Sequence, residues 1–121
     1  MNYKVVEKDK YKYIEFDSSE TILNSEGDAL DIIAACFESN SYLVMIHSEI
    51  LSEDFFDLRT GLAGMVLQKF INYHVKVAVI IESEEKFNDR FREMVLEANK
   101  GNNFRFFKTA GEAEPWLLDI K

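Results

Sequence analysis

One cysteine, one proline and two histidines in 121 residues leave little room for several kinds of chemistry. The lone Cys36 forbids an intrachain disulfide. It falls in an apolar helical pattern, where a free cysteine acts as a small buried hydrophobe. No histidine neighbours it in sequence, which argues against a catalytic thiol. His47 and His74 stand 27 positions apart, with no His-x-x-x-His or Cys-x-x-Cys spacing, so no metal centre is expected. Glu49, Glu53, Asp54 and Asp57 can draw a hard cation, yet no calcium-loop pattern accompanies them. Gly61-x-x-Gly64 lacks both the Lys-Ser/Thr of a phosphate loop and the third glycine of a dinucleotide fingerprint, so no cofactor is expected.

No apolar stretch nears the 18 or so residues of a membrane span, and the first seven residues are short and charged for a signal peptide. The cytoplasm is the expected compartment. Basic residues are in deficit, 14 against 22 acidic, for a net charge of −8. That balance repels phosphate backbones and argues against nucleic acid as a partner. Arg90, Arg92, Lys100 and Arg105 lie close together, but Glu84, Glu85, Asp89, Glu93 and Glu97 are interleaved with them, as on a solvated mixed-charge face. The single proline, Pro115, lies near the C-terminus, and no repeat, linker or low-complexity tract marks a boundary. The chain therefore reads as one domain over 1–121, long enough to bury a core.

What is present has a clear period. Tyr3 to Val6 and Tyr11 to Phe16 are aromatic and β-branched runs around Glu7 to Lys10, an antiparallel hairpin. Ser25 with Asp28 resembles a capping box, opening a helix with Leu30, Ile33, Ala34 and Phe37 as its buried face and Asn40 as its stop. Tyr42 to Ile46 and Val75 to Ile81 are continuous apolar runs, as in parallel strands covered on both faces. The apolar segment from Asp54 to Phe70 lies between them and reads as a helix ending near Tyr73. Ser83 is placed to cap a third helix with a stripe of Phe87, Phe91, Met94, Val95 and Ala98, ended by Gly101. Phe104 to Phe107 is a last strand. Thr109 with Glu112 opens a C-terminal helix using Ala113, Trp116, Leu117 and Ile120, with Pro115 expected in about its first turn. The order β-β-α-β-α-β-α-β-α implies an α/β domain with a mixed sheet of about five strands.

In such sheets ligands bind beyond the carboxyl ends of the strands. The loops there are His47-Ser48-Glu49, running on to Asp54, and Glu82-Ser83-Glu84-Glu85. His47, Glu49, Asp54, Asp57, Arg59, Thr60 and Gly61 gather in the first of them and form the candidate binding site. No catalytic residue is assigned, because nearness in sequence is not triad geometry and no Gly-x-Ser-x-Gly elbow is present. Gly61 and Gly64 interrupt an apolar helical run at a cost of roughly 1 kcal/mol each. They imply a backbone passing close to a neighbour, a helix sitting tightly on the sheet, or a helix that begins at Thr60. In the last case Thr60 caps an exposed helix N-terminus.

Ser52 to Gly64, Leu67 to Tyr73, Arg90-Phe-Arg-Glu-Met94, Glu97 to Gly101 and Trp116-Leu-Leu118 together resemble a small bacterial family known only as domain of unknown function 4180. The resemblance spans nearly the whole chain and implies no activity. Thr60-Gly61-Leu62 is also similar to the Asp-Ser-Ser/Thr-Gly-Leu signature of STAS, or anti-sigma-factor-antagonist (SpoIIAA-like), proteins. That family shares the strand and helix order, and a hydroxyl beside its glycine is phosphorylated to switch partner binding. Here Leu58 and Arg59 replace the signature's aspartate and first serine. The resemblance implies a STAS-like fold, and the chain is read as a non-enzymatic regulatory or protein-binding module with an unknown protein partner, no nucleic acid or membrane, and a monomeric or weakly homodimeric state. The competing readings are a small hydrolase-like enzyme using His47, Glu49 and Arg59, and a carrier of apolar ligands under Phe55 and Phe56.

Overall fold

Five strands form one sheet in the spatial order β1-β2-β3-β4-β5, which is also their order along the chain. The structure is a computed structural model that describes residues 2–17 and 22–119. Strands β1 (Lys4–Lys8) and β2 (Tyr11–Phe16) pair antiparallel. Their connecting turn narrows to two residues, with Asp9 in the left-handed region at φ 56°. Helix α1 (Glu26–Ser39) leads to β3 (Leu43–His47), and α2 (Glu53–Phe56) and α3 (Leu62–Asn72) to β4 (Lys76–Ile80). Helix α4 (Asp89–Ala98), strand β5 (Phe104–Phe107) and α5 (Ala110–Leu117) follow. Strands β2 to β5 are mutually parallel. The fold is thus the expected α/β class with a mixed five-stranded sheet.

Both faces of the central strands are buried, which is why their sequences do not alternate. Ile14, Phe16, Val44, Ile46, Val77, Val79, Phe104 and Phe106 belong to the larger core with α1, α3 and α4. Tyr13, Met45, Ala78 and Ile80 belong to the smaller one, closed by Ala113, Leu117 and Leu118 of α5. Phe16, Phe55, Phe70 and Phe91 are the largest fully buried side chains. Burying each such side chain stabilises by about 1.5–3 kcal/mol. Lys76 anchors the end of α5, its Nζ donating to the Trp116 carbonyl at 2.7 Å and lying 4.4 Å from the indole ring. Burial there lowers the pKa of Lys76.

The caps follow the sequence pattern in part. Ser25 Oγ accepts from the Asp28 N–H at 3.2 Å, and Asn40 closes α1 at φ 53°. Thr109 Oγ1 accepts from the Glu112 N–H at 3.2 Å. Four expectations change. The buried face of α1 is Ala29, Ile32, Ile33, Ala35 and Cys36, while Leu30, Ala34 and Phe37 are exposed. Both sets lie at helical spacing, and one residue is a rotation of about 100°. Helix α4 begins at Asp89, capped by Asn88, whose Oδ1 accepts from the Phe91 N–H at 2.8 Å. Ser83 instead accepts from the Glu85 N–H at 3.2 Å in a turn ahead of it. Asn99 ends α4, and Gly101 lies two residues beyond. Pro115 sits inside α5 rather than in its first turn, where its missing N–H leaves the Gly111 carbonyl without the usual helical donor. Ile120, expected on the buried side of α5, lies outside the described residues.

Candidate functional site

The apolar run from Asp54 to Phe70 is not one helix. The chain leaves β3 through a 3-10 turn at Ser48–Ile50, forms the single turn of α2, passes a second 3-10 turn at Leu58–Thr60 and only then enters α3. Two apolar anchors set this path. Phe55 and Phe56 are buried against Phe91, with ring centroids 6.1 and 5.1 Å away. Gly61 then stands at φ 78°, between the second turn and α3, in a conformation that costs any L side chain.

Polar side chains lock the second turn. Asp57 Oδ1 accepts from the Arg59 N–H at 3.1 Å. The Arg59 guanidinium returns to the same carboxylate, Nε to Oδ1 at 3.0 Å and Nη2 to Oδ2 at 2.8 Å. This bidentate bond, then the backbone N–H, holds the Asp57 carboxyl below its ordinary range, and the same side-chain bond raises Arg59. Thr60 Oγ1 lies 2.7 Å from the Asp54 carbonyl and 2.8 Å from that of Asp57, either of which takes its proton. The same oxygen accepts from the Leu62 N–H at 3.2 Å. Gly61, at the cap position of α3, has no side chain to satisfy the helix, and Thr60 does so from one residue earlier.

Beyond the carboxyl ends of β3 and β4 lie two open hollows. One, of about 280 Å³, is lined by Glu49, Phe56, Ile81, Glu82, Glu85 and Lys86 among others. The other, of about 330 Å³, includes Glu53, Asp54, Asp57, Arg59 and Lys86. Lys86 lines both. Its Nζ bonds Glu53 Oε1 at 2.7 Å and lies 5.6 Å from the Phe56 ring centroid.

His47 lines neither hollow. Its Nε2 lies 2.7 Å from Glu15 Oε2, with both side chains mostly buried. Alternation along the strands places this pair on the α5 side of the sheet, since Tyr13 and Met45 belong to the core there. The structure therefore separates His47, Glu49 and Arg59: His47 turns to β2, Glu49 lines the first hollow and Arg59 the second. Asp54 and Asp57 line the second hollow, while Thr60 and Gly61 are exposed beside it. The space around Phe55 and Phe56 is filled by Phe87 and Phe91. A Cβ placed on Gly61 or Gly64 meets nothing within 4 Å, so neither glycine serves a close approach, and Gly64 is exposed on α3. Cys36 is fully buried, which pushes its thiol up to about 12. Among the described residues, no group of three or more His, Cys, Asp or Glu side chains is placed to hold a metal ion.

Sequence reasoning missed Glu15 and Lys86. Glu15 carried one signal, a charge between Ile14 and Phe16 inside a strand; Lys86 carried none, since its partner is 33 positions away.

These features define an α/β domain with an acidic, hollowed rim at the carboxyl edge of its sheet. The chain belongs to the family of the domain of unknown function DUF4180, whose model matches residues 8–117. Neither a curated protein nor a solved structure matches it. Among the described residues, no helix is long and apolar enough to cross a membrane.

Proposed function

We propose that this protein is a STAS-like, non-enzymatic regulatory module of the bacterial cytoplasm that presents the rim from Glu49 to Gly64 to a protein partner, with His47 held behind it by Glu15. The observation that carries the reading is Arg59, fixed by two bonds to Asp57 while its side chain stays 86% exposed. An exposed arginine is ordinarily mobile. One already held in place loses less freedom on binding, and arginine is over-represented among residues that dominate interface energy. The net charge of −8 steers a basic partner toward such a surface.

The STAS-like part of the reading is supported by the strand and helix order and by Thr60-Gly61-Leu62 at the start of α3. Thr60 departs from a phosphate acceptor, because its hydroxyl is committed within its own turn. In this reading Thr60 locks the surface and Arg59 makes the contact.

A photo-crosslinking residue in place of the exposed Asp54, expressed in the native cell, tests this. A discrete protein adduct is expected, lost when Arg59→Ala is added, and absent from a control with the same residue at Leu96 on α4. An adduct indifferent to Arg59, or shared with the control, sinks the proposal.

A further inference from the structure

The two edges of the sheet are finished differently. At the β5 edge, Asn99 at the end of α4 bonds both backbone groups of Phe106. At the β1 edge, nothing among the described residues takes that place. Lys8 and Tyr11 flank a two-residue turn and exchange both backbone bonds. The alternation of an antiparallel pair then turns the backbone groups of Val6 and Lys4 toward β2 as well. Those of Val5 and Glu7 point outward from the edge, and no described residue bonds them. Natural edges are blunted by proline, a bulge or an outward lysine. Strand β1 has no proline, and its register with β2 runs without a bulge. Its two lysines are tied inward: Lys4 Nζ lies 3.0 Å from Asp17 Oδ2 just past β2, and Lys8 Nζ lies 2.6 Å from Glu114 Oε1 on α5. Val5, in the edge between them, is 46% exposed.

We infer that the β1 edge is a second binding site, which takes up an extended segment of another protein as an added strand, with a basic residue opposite Glu7 and a β-branched one opposite Val5. Free backbone groups in a row at strand spacing select an extended chain, since a helix has already used its own. The side chains select the sequence. Val5 and Glu7 share the α1 side of the sheet, because Val5 pairs with Ile14 of the larger core. Glu7 has no hydrogen bond or ion pair among the described residues, and Lys12, opposite it on β2, makes none with it. An added strand sets its own residue about 4.8 Å from Glu7 at the backbone, where opposite charges attract and like charges repel. Hydrogen-bond parity excludes a second copy as the occupant. A two-fold axis pairs two β1 strands antiparallel, and residues directly opposite then point outward together. Glu7 meets only Tyr3, Val5, Glu7 or Asp9 of the other copy, none of them a cation. Strand β2 separates this edge from β3 and the rim it leads to, so the site stands independently of the partner proposed above.

Two end-capped peptides probe the site in amide NMR spectra of the full chain: Thr-Lys-Thr-Val-Thr-Lys-Thr, and its counterpart with glutamate for each lysine. Both read alike in either direction, so strand polarity does not matter. The lysine peptide is expected to bind saturably by about 5 mM and to slow solvent exchange of the Val5 and Glu7 N–H groups. The glutamate peptide should bind at least about fivefold more weakly, and Glu7→Lys should invert that order. Val5→Pro removes an outward N–H that the hairpin does not use. It should keep the Val6–Tyr13 pair and weaken the lysine peptide at least about fivefold. Circular dichroism checks the folding of both variants, and Glu7→Lys carries the test if Val5→Pro unfolds. The inference is overturned if no saturable change appears at β1, if changes are confined to the rim from Glu49 to Arg59, or if Glu7→Lys leaves the peptide preference unmoved. Protection of Val5 that grows with protein concentration alone, without peptide, overturns it in favour of a second copy.

Discussion

Asn99 completes the open edge of the sheet by standing in for a sixth strand opposite Phe106. Its Oδ1 accepts from the Phe106 N–H at 2.8 Å, and its Nδ2 donates to the Phe106 carbonyl at 3.4 Å. These two groups point away from β4, because the parallel ladder uses alternate residues of β5. Unpaired edge groups are a template for aggregation. Asn99→Ala should lower stability by about 1–2 kcal/mol through the lost bonds. It should also raise light scattering on storage at high concentration. Asn99→Asp keeps only the acceptor and should fall between the two, read from urea midpoints.

Gly61 and Gly64 should respond in opposite directions. Gly61 stands at φ 78°, so Gly61→Ala forces a left-handed alanine and should destabilise by about 1–2 kcal/mol. Gly64 is exposed inside α3 with open space around a Cβ. Gly64→Ala should stabilise by about 0.5–1 kcal/mol through helix propensity. Chemical denaturation of the two variants separates conformation from packing. If both glycines destabilise alike, the backbone account of Gly61 is wrong.

The legible parts of the fold were those written locally. The runs around Val44 and Val77 announce parallel strands because both faces of each are buried, and Ser25 and Thr109 announce caps because the bond spans only three residues. The face of α1 was not legible, since Ile32 and Phe37 lie on competing apolar stripes and only the sheet decides between them. The break at Gly61 was half legible. The glycine marked it, but the apolar residues on both sides concealed where α3 begins. The partners of His47 were invisible, because Glu15 lies 32 positions earlier on a neighbouring strand. Neighbours in sequence, such as Glu49, made the false constellation.

Glu114 ties α5 to the hairpin and should make stability depend on acid. Its Oε1 accepts from Lys8 Nζ at 2.6 Å and its Oε2 from the Tyr13 hydroxyl at 2.8 Å. The Lys8 bond first, then the Tyr13 bond, lowers the Glu114 pKa below its ordinary value. A carboxyl depressed in the folded state stabilises above its unfolded pKa, and that contribution is lost as pH falls through the folded value. Glu114→Gln should therefore be less stable than wild type near neutrality, with the gap closing as pH falls below the usual carboxylate range. A gap that stays constant down to about pH 3 contradicts this.

Thr60 and Arg59 are adjacent and exposed, yet their roles in the fold should differ sharply. Among the described residues, Arg59 makes its side-chain bonds to Asp57 alone, at the surface, where ion pairs contribute little net stability. Arg59→Ala should leave the melting curve unchanged within repeat error. Thr60 connects three backbone groups across the second turn and the start of α3. Thr60→Val keeps the shape and removes the hydroxyl, so the Leu62 N–H loses its partner and one of the Asp54 and Asp57 carbonyls loses a second donor while keeping its backbone N–H. A loss of about 1–2 kcal/mol is expected, the scale of a deleted helix cap. Thr60→Ser should restore most of it, since the oxygen remains. If Thr60→Val melts like wild type while Arg59→Ala does not, the turn is held by the arginine, and the assignment of Arg59 to partner contact fails with it.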